Sequence, residues 1–187
     1  IYVEAGAQVV EDSEPDSPIN ELPVIKRDPG KLVLDRGSSA AIPAVTIEEG
    51  QLEVWDSAAI SNGVVRVEPY TTAIINGGEE EVVDNLSLDI AAGGTVEIRS
   101  GSFRLAPSTF DISNVRGLIK RGRDSSDDPL AGTGLRMGVT DERYALAYGT
   151  RDDESLEVRI RAVGDANLDG KVDGFDLVRL DANARFN

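Results

Sequence analysis

Four phrases of one form recur along this chain: Gly-Lys-Leu-Val-Leu at 30–34, Gly-Gln-Leu-Glu-Val at 50–54, Gly-Thr-Val-Glu-Ile at 94–98 and Gly-Ser-Phe-Arg-Leu at 101–105. Each places a glycine before a short strand. The same short alternation appears in Val65-Arg66-Val67, in Leu86-Ser-Leu-Asp-Ile90 and in Phe110-Asp111-Ile112. Apolar residues at every second position mark strands with one buried face. Gly50, Gly63, Gly94 and Gly101 each precede such a strand and are expected to supply the positive φ of a tight turn. Many short strands with close turns fit either a stacked β-solenoid or a β-sandwich. Self-similar phrases favour the solenoid, because stacking repeats one unit, although their spacing is irregular.

Composition agrees with a thin core. Aromatic residues are 5% of the chain, so Val, Ile, Leu and Ala must fill the interior. The fold expected is mainly β: a short-strand β-solenoid or β-sandwich, then a small α+β segment, then a C-terminal calcium loop and helix. Four regions follow. Residues 1–30 hold an N-terminal strand at Ile1 to Val10 and an acidic linker with Pro15, Pro18, Pro23 and Pro29. Proline removes a backbone donor and fixes φ, which suits a loop. Residues 31–113 are the strand repeats.

Residues 114–163 form a connecting segment. Val115, Leu118 and Ile119 stand at i, i+3 and i+4, predicting a short helix with Asn114 as its N-cap and Lys120, Arg121 and Arg123 at its C-terminal end. Strands are expected at Tyr144–Tyr148 and Leu156–Arg161, the latter with Leu156, Val158 and Ile160 on one face and Glu157, Arg159 and Arg161 on the other. Residues 164–187 carry the one motif with chemistry.

Charge and missing residue types narrow the function. There is no His and no Cys, and the formal net charge is −15. Imidazole and thiol catalysis are excluded, as are thiolate and imidazole metal sites. Any metal must be held by oxygen, which favours calcium or magnesium. The negative charge argues against nucleic acid as a partner. No apolar run approaches the ~20 residues of a membrane span, so no membrane insertion is expected. Ile1 stands where an initiator Met would, as in a processed or partial chain.

From Asp165 the sequence runs Asp-Ala-Asn-Leu-Asp-Gly-Lys-Val-Asp-Gly-Phe-Asp, ending at Asp176. Oxygen side chains fall at positions 1, 3, 5, 9 and 12 of a 12-residue loop, with glycine at 6, as in an EF-hand calcium loop. A loop wrapped round one cation presents alternate residues inward. Asp165, Asn167, Asp169, the Lys171 carbonyl and Asp176 are the expected direct ligands, and Asp173 acts directly or through a water. Gly170 allows the sharp turn, and Val172 is expected to point to the core as the loop's anchor. Asp176 in place of the usual Glu shortens the closing arm, which points to a dissociation constant of roughly 10⁻⁴–10⁻³ M. A strand rather than a helix precedes the loop. The exit helix is expected from about Gly174 towards Arg185.

Gly-Asp-x-Asn-x-Asp-Gly-x-Val-Asp-x-x-Asp-Leu at 164–177 resembles the calcium repeat of type I dockerins. The upstream Gly-x-Leu-x-Val phrases resemble the autotransporter-associated strand repeats of bacterial surface proteins. These resemblances imply a secreted or cell-surface protein that binds Ca²⁺. They imply a partner such as a cohesin-like or cell-surface protein, or a polysaccharide. Dockerins carry two calcium repeats; here Asp181-Ala-Asn183 echoes a second start, but Arg185 stands where Asp would be needed. Gly174 and Phe175 replace the small hydroxyl pair of cohesin-recognising dockerins.

The expected function is therefore a non-catalytic extracellular or cell-surface protein whose calcium-binding tail stabilises or docks it. Two alternatives remain open. One is a fragment of a polysaccharide-degrading hydrolase or lyase, with Asp84, Asp89 and Glu97 as candidate carboxylates. The other is a carbohydrate-binding adhesin.

Overall fold

The computed structural model describes residues 23–34, 42–55, 60, 62–76, 82–107, 109–123, 132–139, 141–151, 153–165 and 171–173. The expected strand at Ile1–Val10 and the exit helix lie outside these residues.

The chain forms a β-solenoid of about three turns. Strands β1 (Val24–Lys26), β3 (Ala44–Ile47), β5 (Val64–Val67), β7 (Val82–Ile90) and β9 (Ser102–Leu105) alternate with β2 (Lys31–Leu34), β4 (Gln51–Val54), β6 (Thr72–Asn76) and β8 (Thr95–Ser100). The two sets build two sheets, and successive members of each set pair in parallel. One coil therefore spans one strand of each sheet. Leu32, Leu52, Ala73 and Val96 stand directly in register, 20, 21 and 23 residues apart. The irregular spacing in the sequence is thus a variation in corner length around a constant strand.

Between the sheets lies a core of aliphatic columns, among them Val45 and Val65, Ile47 and Val67, and Val54, Ile75 and Ile98, all buried. Small branched side chains suit it, since each coil contributes only two or three inward residues per strand. Lys26 occupies an inward position at one end of the Ile47–Val67–Ile90 column and is 1% exposed. Its stem continues the column, while its ammonium donates to the carbonyl oxygens of Asp28 and Glu49 in the corner. This is the arrangement a long amphipathic side chain needs when its stem is buried. Residues 24–26, read as linker in the sequence, are therefore strand β1. The inward lysine disguised its alternation.

The glycines before the strands do two different jobs. Gly50 and Gly101 have φ of +76° and +77°. Gly63 and Gly94 do not; the positive φ falls one residue earlier, on Asn62 and Gly93. What Gly63 and Gly94 supply is space. A Cβ would lie 2.7 Å from the Ile42 carbonyl oxygen at Gly63 and 2.8 Å from that of Val67 at Gly94.

After β9 the coil is interrupted by helix α1 (Ile112–Arg123). Phe110-Asp111-Ile112, expected as a strand, instead leads into this helix. A three-residue alternation is too short to distinguish the two. The N-cap is Asp111, not Asn114: the Ser113 amide donates to Asp111 Oδ1 at 2.8 Å, and the Val115 amide to the Asp111 carbonyl at 3.0 Å. Lys120, Arg121 and Arg123 do occupy the last turn. The helix packs against β10 (Gly134–Met137), which extends the smaller sheet in parallel beside β8. Gly122 makes this close approach possible, because a Cβ there would overlap the Leu135 carbonyl.

The larger sheet ends differently. Strands β11 (Tyr144–Thr150) and β12 (Leu156–Ala162) form an antiparallel hairpin, and β12 pairs antiparallel with β9. The resulting order is β1-β3-β5-β7-β9-β12-β11 in one sheet and β10-β8-β6-β4-β2 in the other. Among the described residues no helix is long and apolar enough to cross a membrane.

Candidate functional site: the loop after β12 and the charged face beside it

Strand β12 carries its alternation to both faces. Val158 is buried opposite Phe103, while Glu157 lies opposite Arg104 and Arg159 opposite Ser102. On the other side Glu157, Arg159 and Arg161 face Gly149, Ala147 and Ala145 of β11. Those small partners leave room for three long charged side chains on the outer face. Glu157 is 3% exposed, and its carboxylate meets Arg159 at 2.9 Å, Arg151 at 3.0 Å and Arg104 at 3.8 Å. Three guanidiniums around one carboxylate offset the desolvation that burial of a lone charge would incur.

Asp165, the first proposed calcium ligand, follows β12 at once. Its amide donates to the Ala162 carbonyl at 3.1 Å, and Gly164 turns the chain with φ +109°. The Asp165 side chain is fully buried, with Oδ2 3.5 Å from Arg161 Nε. Lys171 and Asp173 are described and exposed. Asn167, Asp169 and Asp176 lie outside the described residues. Val172 corrects one expectation. It does not enter the core but is 57% exposed, resting against Gly164, where a Cβ would stand 3.1 Å from Val172 Cγ1. Among the described residues, no group of three or more Asp or Glu side chains converges as a metal site.

Carboxylates and a main-chain carbonyl are the donors a hard divalent cation takes. The chain reverses so that the loop's eighth position meets the residue before its first, which fits a loop closing on one ion. Asp165, Asn167, Asp169, the Lys171 carbonyl, Asp173 and Asp176 would hold it. The ion would supply the positive charge that offsets four aspartates within twelve residues of sequence.

The smaller sheet carries a second set of buried charges. Glu53 and Glu97 flank Ile74 in register on its outer face. Glu53 is 4% exposed and accepts from Lys31 Nζ at 2.7 Å, Asn76 Nδ2 at 2.9 Å and Arg99 Nη1 at 3.5 Å. Burial alone would raise its pKa. The hydrogen bonds from Lys31 and Asn76, with the charges of Lys31 and Arg99, outweigh burial and hold it below the ordinary value. Glu97 is bound by Arg99 at 2.6 Å and Arg136 at 2.8 Å.

The three carboxylates considered for glycoside chemistry do not gather. Asp84 and Asp89 lie on β7 and pair with Arg104 and Arg66, each at 3.0 Å, while Glu97 belongs to the other sheet. The residues that do gather, Arg104, Arg151, Glu157 and Arg159, gave one local signal, the charged alternation of β12. Their meeting depends on the cross-strand register of β12 with β9 and β11.

Comparison with known protein families, curated proteins and solved structures returns no match.

Proposed function

We propose that this chain is a non-catalytic module of an extracellular or cell-surface protein, a β-solenoid whose loop 165–176 binds Ca²⁺ and orders the tail for stabilisation or docking. The observation that carries this reading is the reversal at Gly164. It buries Asp165 at the end of β12 and brings Val172 back beside it. The arginine pairing of Asp84, Asp89 and Glu97 supports a structural rather than a hydrolytic role for them. A docking partner would be a cohesin-like or cell-surface protein, or a polysaccharide.

Calcium titration by calorimetry, with thermal melts in calcium and in chelator, tests the reading. At a free calcium concentration of about 100 times the dissociation constant, binding to the folded form alone stabilises by about 2.7 kcal/mol. For a chain of this size that raises Tm by about 5–10 °C. Asp165→Ala should lose both the heat and the shift. Absence of heat and of any shift at about 10 mM calcium in the unsubstituted chain would overturn the calcium reading.

A further inference from the structure

Strand β11 ends the larger sheet, and among the described residues it pairs with β12 alone. The Val163 amide donates to the Arg143 carbonyl at 2.7 Å, and the Arg151 amide to the Ser155 carbonyl at 2.9 Å. Hydrogen-bonded pairs alternate along an antiparallel ladder. Arg143, Ala145, Ala147, Gly149 and Arg151 therefore turn their backbone groups towards β12. Leu146, Tyr148 and Thr150 turn theirs outward, where no other described strand pairs with them.

Such a row of donors and acceptors is a template for another strand, and proteins normally guard it with short strands, charges or a covering element. The other three sheet edges are guarded in these ways. β1 is three residues long and carries the inward Lys26. β2 starts on Lys31. β10 holds Arg136 and has α1 packed against it. β11 has none of these devices. It is seven residues long, Tyr-Ala-Leu-Ala-Tyr-Gly-Thr, with no charge and no proline, and its register against β12 runs without a bulge.

From this geometry we infer that β11 is a docking edge for a second copy of this chain, the two β11 strands pairing antiparallel about a two-fold axis. The outward residues, Leu146, Tyr148 and Thr150, are symmetric about Tyr148. One register uses them all: Tyr148 opposite the partner's Tyr148, and Leu146 opposite the partner's Thr150. It forms about six inter-chain hydrogen bonds, two at each outward pair. Leu146 and Tyr148 already rest partly against the core of their own chain. Pairing sets the two Tyr148 side chains side by side on that inner face, a favourable cross-strand aromatic pair.

Charge selects the same register. A slip that set Leu146 opposite the partner's Tyr148 would also set Arg143 opposite the partner's Arg151, and like charges directly opposite are destabilising. In the full register Arg151 falls opposite the partner's Ala145. Arg143, with its side chain 81% exposed, is then carried towards the turn that holds the partner's Asp153 and Glu154, both exposed. The net charge of −15 on each copy opposes association. At physiological salt that repulsion is screened over about 8 Å, and the charges nearest the edge are of both signs. Each copy has one unguarded edge, so a two-fold pair closes and growth stops at the dimer. The edge uses no residue between 166 and 187 and stands whether or not the tail binds calcium.

The test is sedimentation equilibrium of the full chain, in chelator and in calcium, from about 1 μM to about 1 mM, the span of moderate to weak affinities. A monomer–dimer equilibrium is expected in both. Thr150→Pro removes an outward donor that β12 does not use, and by symmetry removes it twice. It should raise the dimer dissociation constant about tenfold or more. Thr150→Lys, which guards the edge with charge, should do the same and serves if the proline variant does not fold, as far-UV circular dichroism will show. The chain has no cysteine, so single substitutions report the register. Under mild oxidation Tyr148→Cys should form a disulfide-linked dimer, because opposed hydrogen-bonded residues lie about 5.5 Å apart at Cα. Ala147→Cys should not, and an Ala147→Cys and Gly149→Cys mixture should link the two variants to each other. A monomer throughout the range, a dimer that neither Thr150 variant weakens, growth beyond the dimer, or ready linkage of Ala147→Cys alone overturns the proposal.

Discussion

The corners of the solenoid permit a quantitative test, because they use positive φ with and without free space. Gly50 (φ +76°) and Gly93 (φ +91°) share the left-handed conformation. At Gly93 an added Cβ meets nothing closer than 3.7 Å. At Gly50 it overlaps the Asp28 and Gly30 carbonyl oxygens and lies 2.9 Å from the Pro29 carbonyl carbon. Those atoms belong to the backbone of the neighbouring coil and cannot rotate away. A left-handed L-residue costs about 1–2 kcal/mol, and replacing Gly by Ala returns about 0.5–1 kcal/mol through the unfolded chain. Gly93→Ala should therefore lose about 0.5–1 kcal/mol. Gly50→Ala adds an overpacking cost of about 1–3 kcal/mol, for a total of about 1.5–4 kcal/mol. Tyr70 is the converse case, an exposed non-glycine at φ +66°. Tyr70→Gly should gain about 0.5–1 kcal/mol. Urea unfolding read by far-UV circular dichroism, with m unchanged, measures all three. Equal losses at Gly50 and Gly93, or a loss at Tyr70→Gly, would refute the close stacking of corners.

Glu53 supplies a pH dependence. Its folded pKa is depressed, so its stabilisation is present above the unfolded value and lost as pH falls through the folded one. Glu53→Gln should cost about 1–3 kcal/mol at pH 7. The gap from the unsubstituted chain should narrow below about pH 4.5, and a gap constant from pH 7 to 3 would disprove the pairing. Asp111→Ala should remove about 1 kcal/mol through loss of the N-cap, visible in thermal melts; Asn114→Ala should not match it. Arg161→Gln removes a cation beside Asp165. Unit and double charges ~6 Å apart in water repel by about 1.4 kcal/mol, so calorimetry should show calcium affinity rising by up to about tenfold. A fall would mean that Arg161 positions the ligand rather than repelling the ion.

Local pattern carried much of the architecture. Leu52-Glu-Val54 and Val96-Glu-Ile98 read as half-buried strands because alternation is a property of neighbouring residues. The loop from Asp165 was equally legible, since its ligands are spaced by the geometry of one short turn of chain. Other features needed more than local pattern. Val24–Lys26 does not read as a strand because its inward lysine breaks the apolar rhythm. Asp111 does not read as a cap because a side-chain cap and a strand residue look alike in three letters. Val172 fits the loop's eighth position, yet among the described residues no neighbouring element covers it.

The amino-acid sequence by itself determined short aliphatic strands, glycine corners and an oxygen-ligand loop, since each depends on residues a few positions apart. Tertiary structure decided which strands became neighbours, and with that which charges were buried. Glu53 and Glu97 look like solvated outer-face residues in their strands. They become buried because stacking brings Lys31 and Arg99 beside Glu53, and Arg136 beside Glu97, across 22, 46 and 39 residues of sequence. Arg104, Arg151 and Arg159 meet at Glu157 only because a parallel coil gives way there to an antiparallel hairpin. Register is a long-range property, set by the packing of the whole core, and no local spacing encodes it.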